Sequence, residues 1–185
     1  MTNLPLFPLP VFLLPQGLTR LRIFEPRYLK MVSLAMKDQG FVIFSQSTEN
    51  MKGVGQTGSW VEIINFDQSD DGLLLIDVRC KSLVNIITIT QDADNLHHSD
   101  VSVKEHWPDV TIDKVTARLS ASLKKVFNDN TELNTLYPQP CFTSANWVVA
   151  RWLELLPVEL VEKDLFFAQY SFNEAKVFLQ NIILS

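Results

Sequence analysis

The chain has 185 residues, 46% of them hydrophobic and 20% charged, which is enough apolar material for one domain or for one domain in two lobes. Its formal net charge is −5 and Lys124-Lys125 is its one adjacent basic pair, which excludes a general nucleic-acid binder, because phosphate recognition needs concentrated Lys and Arg. Cys80 and Cys141 lie far apart among apolar neighbours and form neither a disulfide framework nor a metal pair, so both are expected as buried, reduced thiols.

The apolar start, residues 4–14, is broken by Pro5, Pro8 and Pro10. Arg20 is the first basic residue and no small-residue cleavage site follows, so the segment is expected to be mature structure rather than a leader. It falls well short of the roughly 20 apolar residues of a membrane-spanning helix, and the chain is expected in the cytoplasm. Pro15-Gln16-Gly17 predicts a turn, with Pro presetting one torsion and Gly permitting a positive one. Residues 18–23 alternate and predict a strand with one polar face. A helix is predicted from Pro26, with Glu25 near its positive end and an apolar stripe of Tyr28, Met31, Val32, Ala35 and Met36. Gly40 stands where a C-terminal cap is expected.

Residues 41–44 predict a strand buried on both faces. Gly53, Gly55 and Gly58 lead into a strand over residues 60–66. A polar hairpin loop, residues 67–72, then leads into residues 73–78. A further strand is predicted over 83–90, a polar loop over 91–100 and another strand near 101–105. Five or six short strands with one early helix suggest a small, twisted, barrel-like antiparallel sheet. From about residue 109 the spacing is helical. Val115, Leu119, Ser122, Leu123 and Val126 form one stripe. Trp147, Val148, Arg151, Trp152 and Leu155 form another, ended by Pro157. An amphipathic segment over 158–167 precedes a last helix with Ala175, Phe178, Leu179 and Ile182 on one face and Ser171 as N-cap. The expected organisation is α+β: a β-rich lobe with an inserted helix over residues 1–108, then a helical lobe over 109–185.

Catalytic constellations are missing from this pattern. His97-His98 point to opposite faces if extended, and are expected in a surface loop with no shared metal. Asp70-Asp71-Gly72 lacks the alternating carboxylates of a calcium loop and predicts a turn. The glycines at 53, 55 and 58 match no phosphate loop, and no Gly-x-Ser-x-Gly elbow occurs. No enzyme activity and no cofactor or metal are expected.

The informative stretch is Leu4-Pro5-Leu6-Phe7-Pro8-Leu9, Leu14-Pro15, and then Leu21-Arg22-Ile23-Phe24-Glu25-Pro26-Arg27-Tyr28-Leu29. In this order it resembles the amino-terminal, substrate-binding domain of Lon proteases. Val54-Gly55-Gln56-Thr57-Gly58 is similar to that family's approach to its next strand. The Trp-bearing residues 147–156 before Pro157-Val158 resemble its Leu-Leu-Pro helix end. One departure is Cys80 with Leu83-Val84, where the family usually carries Gly and then Arg-Phe.

The resemblance implies a β-rich lobe related to PUA-like pseudobarrels beside a helical-bundle lobe. It also implies a non-catalytic module for unfolded or damaged polypeptide, because a full Lon protease continues into an ATPase and a protease and this sequence ends at Ser185. An apolar groove between lobes is expected, with Arg20, Arg22, Phe24, Glu25, Arg27 and Trp60 as binding residues, although Glu25 and Arg27 also suit a structural role at the strand-to-helix corner. Phe7 joins Phe24 and Trp60 as an aromatic suited either to the groove or to the core. An adaptor binding a folded partner, such as an ATP-dependent protease, is the alternative. An RNA-binding PUA-like protein comes third, opposed by the acidic balance, and a small-molecule enzyme fourth. Neither nucleic acid nor membrane is an expected partner, and the oligomeric state stays open.

Overall fold

Alternating apolar residues build most of the first half into strands: β1 (Thr2–Pro8), β2 (Leu18–Ile23), β3 (Phe41–Phe44), β4 (Thr57–Gln68), β5 (Leu74–Ile86), β6 (Thr90–Gln91) and β7 (His97–Lys104), with helix α1 (Pro26–Lys37) after β2. The computed structural model describes residues 1–37, 39–45 and 55–185, so Gly53 and Val54 of the glycine-punctuated segment lie outside the described residues. Two units divide the chain, Met1–Lys104 and Glu105–Ser185.

In the first unit β1 pairs with β3 and β7, β3 with β4, β4 with β5, and β5 with β7, so these five strands close into a ring. Leu4, Leu6, Val42, Phe44, Val84, Ile86 and Val101 fill it, with Trp60 packed against them. Gly58 faces the same interior two residues before Trp60. A Cβ there would lie 2.4 Å from Val42 Cγ1, so the tightly filled ring requires glycine. The β1–β3 pair is parallel, which corrects the antiparallel expectation. Its physical cause is the long connection through β2 and α1, which returns the chain in the same direction.

The two strands expected over 73–78 and 83–90 are one strand, β5, which pairs with β4 along its length and with β2 and β7 at opposite ends. The polar stretch from Arg79 to Ser82 reads as a break, but the register shift between Trp60 and Val61 skips Lys81 as a bulge, and pairing resumes on both sides. Half of residues 91–100 are likewise strand: β6 ends at Gln91 and β7 starts at His97, with Ser99 and Val101 turned inward. His97 and His98 therefore lie on a strand and not in a loop. The positive torsion of the first turn falls on Gln16 (φ 71°), the third residue of a turn closed by Gly17 N–H donating to Leu14 C=O at 2.9 Å.

Helix α1 starts at Pro26 and buries Tyr28, Met31 and Val32. Met36, expected in that stripe, is 64% exposed. Phe7 belongs to the core, stacked on Tyr28 with ring centroids 4.2 Å apart. Gly40 (φ 92°) follows α1 and leads directly into β3.

The second unit holds α2 (Lys114–Asp129), α3 (Thr131–Leu136), α4 (Ala145–Leu155), α5 (Leu160–Lys163), a 3₁₀ turn (Asp164–Phe167) and α6 (Phe172–Ile183). The buried stripe of α2 is Thr116, Leu119, Ser120, Leu123 and Phe127. It is rotated from the expected one because Ser120 donates to Phe142 C=O and Phe127 enters an aromatic cluster with Tyr137, Phe142 and Trp147. Cys141, expected to be buried, is exposed, while its half-buried neighbour Phe142 packs edge-on against Phe127 and Trp147. Helix α4 is buried nearly all round, Arg151 included, while Leu155 of the expected stripe is 39% exposed. Ser171 does not cap α6 through its side chain. Its Oγ donates to Ala168 C=O at 2.7 Å and accepts from Trp107 Nε1–H at 2.9 Å. On α6 the buried face is Phe172, Ala175 and Leu179, and Ile182 is exposed.

Asp113 closes a capping box on α2: its carboxylate accepts from the Thr116 amide, and its own amide donates to Thr116 Oγ1. The Lys176 ammonium on α6, followed by that amide, holds the Asp113 carboxyl down to about 2. A folded-state value below the unfolded one stabilises above the ordinary carboxylate range, and the contribution is lost as pH falls through about 2. Asp113→Ala is therefore expected to cost about 1 kcal/mol at neutral pH. Urea unfolding followed by tryptophan fluorescence checks this, and the gap from wild type should narrow below pH ~4.

Candidate functional site

On the outward face of β2, β5 and β4, cross-strand register sets Arg20 beside Asp77 and then Asn65, and Leu18 beside Arg79 and then Glu62. Arg20 grips Asp77 through Nε (2.8 Å) and Nη2 (3.2 Å) and lies 3.8 Å from Asp67. Arg22 donates to Asp71 at 2.6 Å, and Arg79 to Glu62 at 2.6 Å. The Asp71 carboxyl is held below its ordinary value, first by the Ser69 hydroxyl. This row is a ladder of opposite charges that supports the sheet. The sequence shows the arginines at period two but not the carboxylates that face them.

At the strand-to-helix corner Phe24 stands 64% exposed. Arg27 donates to Glu25 at 3.3 Å and lies 4.8 Å over the Tyr28 ring. One turn on, Lys30 donates to Asp92 (2.9 Å) and Asp94 (2.7 Å), and His98 shares Asp92 at 2.9 Å. The Lys30 ammonium and then the His98 ring hold the Asp92 carboxyl far below its ordinary value. Burial, reinforced by the Arg27 charge, lowers His97. These contacts fasten the turn before β7 to the first turns of α1.

Of the six residues expected to bind, Glu25 and Arg27 touch one another, and Arg20 and Arg22 share a strand face. Trp60 belongs to another wall. Its indole N–H donates to Gln39 C=O at 2.6 Å, and Lys81 Nζ lies 4.3 Å from its ring centre. Gln39 and Lys81 also line a hollow of about 290 Å³ between the end of α1 and β4, together with Ala35, Met36, Glu62, Ile63 and Phe66. Met36 and Phe66 are 64% and 43% exposed. Neither is among the residues that the sequence leads one to expect in a site. The available signal was α1 itself, whose apolar residues Leu29, Leu34 and Met36 exceed what one buried face can hold.

Among the described residues no group of three His, Cys, Asp or Glu side chains can hold a metal, and no helix is long and apolar enough to cross a membrane. The hollow is mixed in character, with apolar side chains beside one carboxylate, Glu62, and one ammonium, Lys81.

The fold is that of an α+β domain. The family model of the ATP-dependent protease La (LON) substrate-binding domain matches residues 3–148, and the chain belongs to that family. Among solved structures, a Lon N-terminal domain protein from Xanthomonas campestris is 25% identical, with a TM-score of 0.73 over 97% of this chain and 98% of that one. The N-terminal domain of the Mycobacterium avium complex Lon protease shares the fold at 11% identity, with a TM-score of 0.63 over 97% of both chains. Comparison with curated protein sequences finds no match.

Proposed function

We propose that this chain is a non-catalytic module that binds unfolded or damaged polypeptide in the cytoplasm, and that the hollow between α1 and β4 receives the polypeptide's apolar side chains. The family match over residues 3–148 carries the reading, because the substrate of a protease is a polypeptide. The hollow supports it physically. Met36 is an unbranched, polarizable side chain that adapts to varied partners, and Phe66 adds a rigid aromatic wall. Trp60 takes part by fixing Gln39 and Lys81 at the edge. In this reading Phe24 is an additional contact, while Arg20, Arg22, Glu25 and Arg27 hold the surface in shape and set its charge. Delivery of a bound client to an ATP-dependent protease would follow from such binding.

The test is fluorescence anisotropy of a labelled, permanently unfolded polypeptide titrated with wild type, Met36→Asp, Phe66→Ser and Arg22→Ala. Losing one such apolar anchor is worth about 1.5–3 kcal/mol, so the first two variants should weaken binding by roughly tenfold or more. Arg22→Ala should change it by less than about threefold. Equal affinity in all four proteins would remove the α1–β4 hollow from the account.

A further inference from the structure

The unit Glu105–Ser185 carries a second hollow, of about 530 Å³, between the 3₁₀ turn and α6. Leu165, Phe166, Tyr170 and Phe178 form its apolar wall and Glu174 stands on its lining. Phe166 and Phe178 pack with ring centroids 5.4 Å apart, which makes a firm base. Leu165 and Tyr170, by contrast, are 70% and 79% exposed. Two large side chains therefore stand in water beside a preformed apolar surface.

Glu174 is the charged residue of that lining, and the segment that carries the hollow is acidic. Residues 158–185 contain the carboxylates Glu159, Glu162, Asp164 and Glu174, and none of these takes part in an ion pair among the described residues. The two cations of that segment are committed elsewhere: Lys163 is buried and donates to Glu154 C=O at 3.2 Å, and Lys176 pairs with Asp113 at 2.8 Å. We propose that this hollow receives a large apolar side chain from a polypeptide segment in which Lys or Arg flanks that residue. The apolar side chain leaves water against Leu165, Tyr170 and Phe178, and the flanking cations meet Glu174 on the lining and Asp164 next to Leu165 in the chain. An anionic lipid surface would face the same carboxylates and be repelled. A second copy of the chain, at a net charge of −5, carries the wrong sign overall. The inference goes beyond the α1–β4 reading and stands or falls separately from it.

The probe is a short labelled peptide with one Phe flanked on both sides by lysines. Its partners are the same peptide with glutamates as flanks, and one with Ser in place of Phe. Anisotropy titrations should show the lysine-flanked peptide binding at least about tenfold more tightly than either. Added salt should weaken that binding. Leu165→Ser and Glu174→Lys should each reduce it, and Val103→Ser, which removes another well-exposed apolar side chain in the other unit, should not. Equal binding of the glutamate-flanked peptide, or no effect of Leu165→Ser, overturns the proposal. So does wild-type self-association in sedimentation equilibrium that Leu165→Ser abolishes, since the occupant would then be a second copy. Loss of unfolded-polypeptide binding in Met36→Asp is read independently, so the two proposals fail distinguishably.

Discussion

Arg151→Ala is expected to lower the unfolding free energy by about 3–5 kcal/mol, the range for breaking a buried ion pair from one side. Arg151 is 1% exposed, the bulkiest of the fully buried side chains. Its Nε and Nη2 form a fork on Glu154, at 2.6 and 2.9 Å, and its guanidinium lies 5.5 Å from the centre of the Trp147 ring. Truncation leaves the Glu154 carboxylate, itself 9% exposed, without the fork that compensates its desolvation. Lys163 donates to the Glu154 backbone carbonyl, so it cannot replace both bonds without moving. Burial already lowers the Lys163 ammonium from its ordinary value. Arg151→Lys keeps the charge and loses the planar fork, so it should still be destabilised, though by less than the alanine variant. Arg151→Met/Glu154→Leu removes both charges and should recover part of the loss. Urea denaturation with a double-mutant cycle measures these differences. An alanine variant within about 0.5 kcal/mol of wild type would show that the pair is immaterial to stability.

Gly40→Ala should be comparably severe in the other unit. Gly40 has φ 92°, a left-handed conformation that costs an L-residue roughly 1–3 kcal/mol. An added Cβ would also lie 2.0 Å from the Val61 carbonyl oxygen, a backbone atom that cannot rotate away. Relief requires β4 and β3 to separate where Phe41 pairs with Val61, and overpacking of this kind costs about 1–3 kcal/mol more. The combined loss of about 2–6 kcal/mol should appear as a lower urea midpoint at unchanged slope. Gly40 also lines the α1–β4 hollow, so the substitution should reduce binding there as the wall shifts.

Legibility in the sequence followed the range of the forces involved. Alternation in β2, the Pro26 start of α1 and the apolar run of β3 are written locally, and each appears where its pattern places it. The family was legible for a related reason. Its opening stretch contains Leu4 and Leu6, which fill the barrel, and Phe7, which stacks on Tyr28. What depends on a partner strand was not legible. The continuity of β5 through Lys81 rests on a bulge against β4, and the inward turn of Ser99 rests on the pairing of β7 with β1. The same limit hid the roles of Arg20 and Arg22. Their spacing announces an exposed strand face, but the carboxylates beside them come from the β4–β5 hairpin some fifty residues later. Met36 was misplaced because helical spacing gives the direction of a stripe and not how much of it a neighbour covers. Arg151, at a position with the periodicity of core, takes the chemistry of a buried ion pair from Glu154 one turn on.

The central claim is recognition of polypeptide in its unfolded state. It is tested most directly by titrating this protein into a labelled, permanently unfolded polypeptide and, in parallel, into the same polypeptide in its folded form. The account predicts saturable binding of the unfolded form alone, weakened by Met36→Asp. Equal affinity for both forms, or binding of neither, would contradict it.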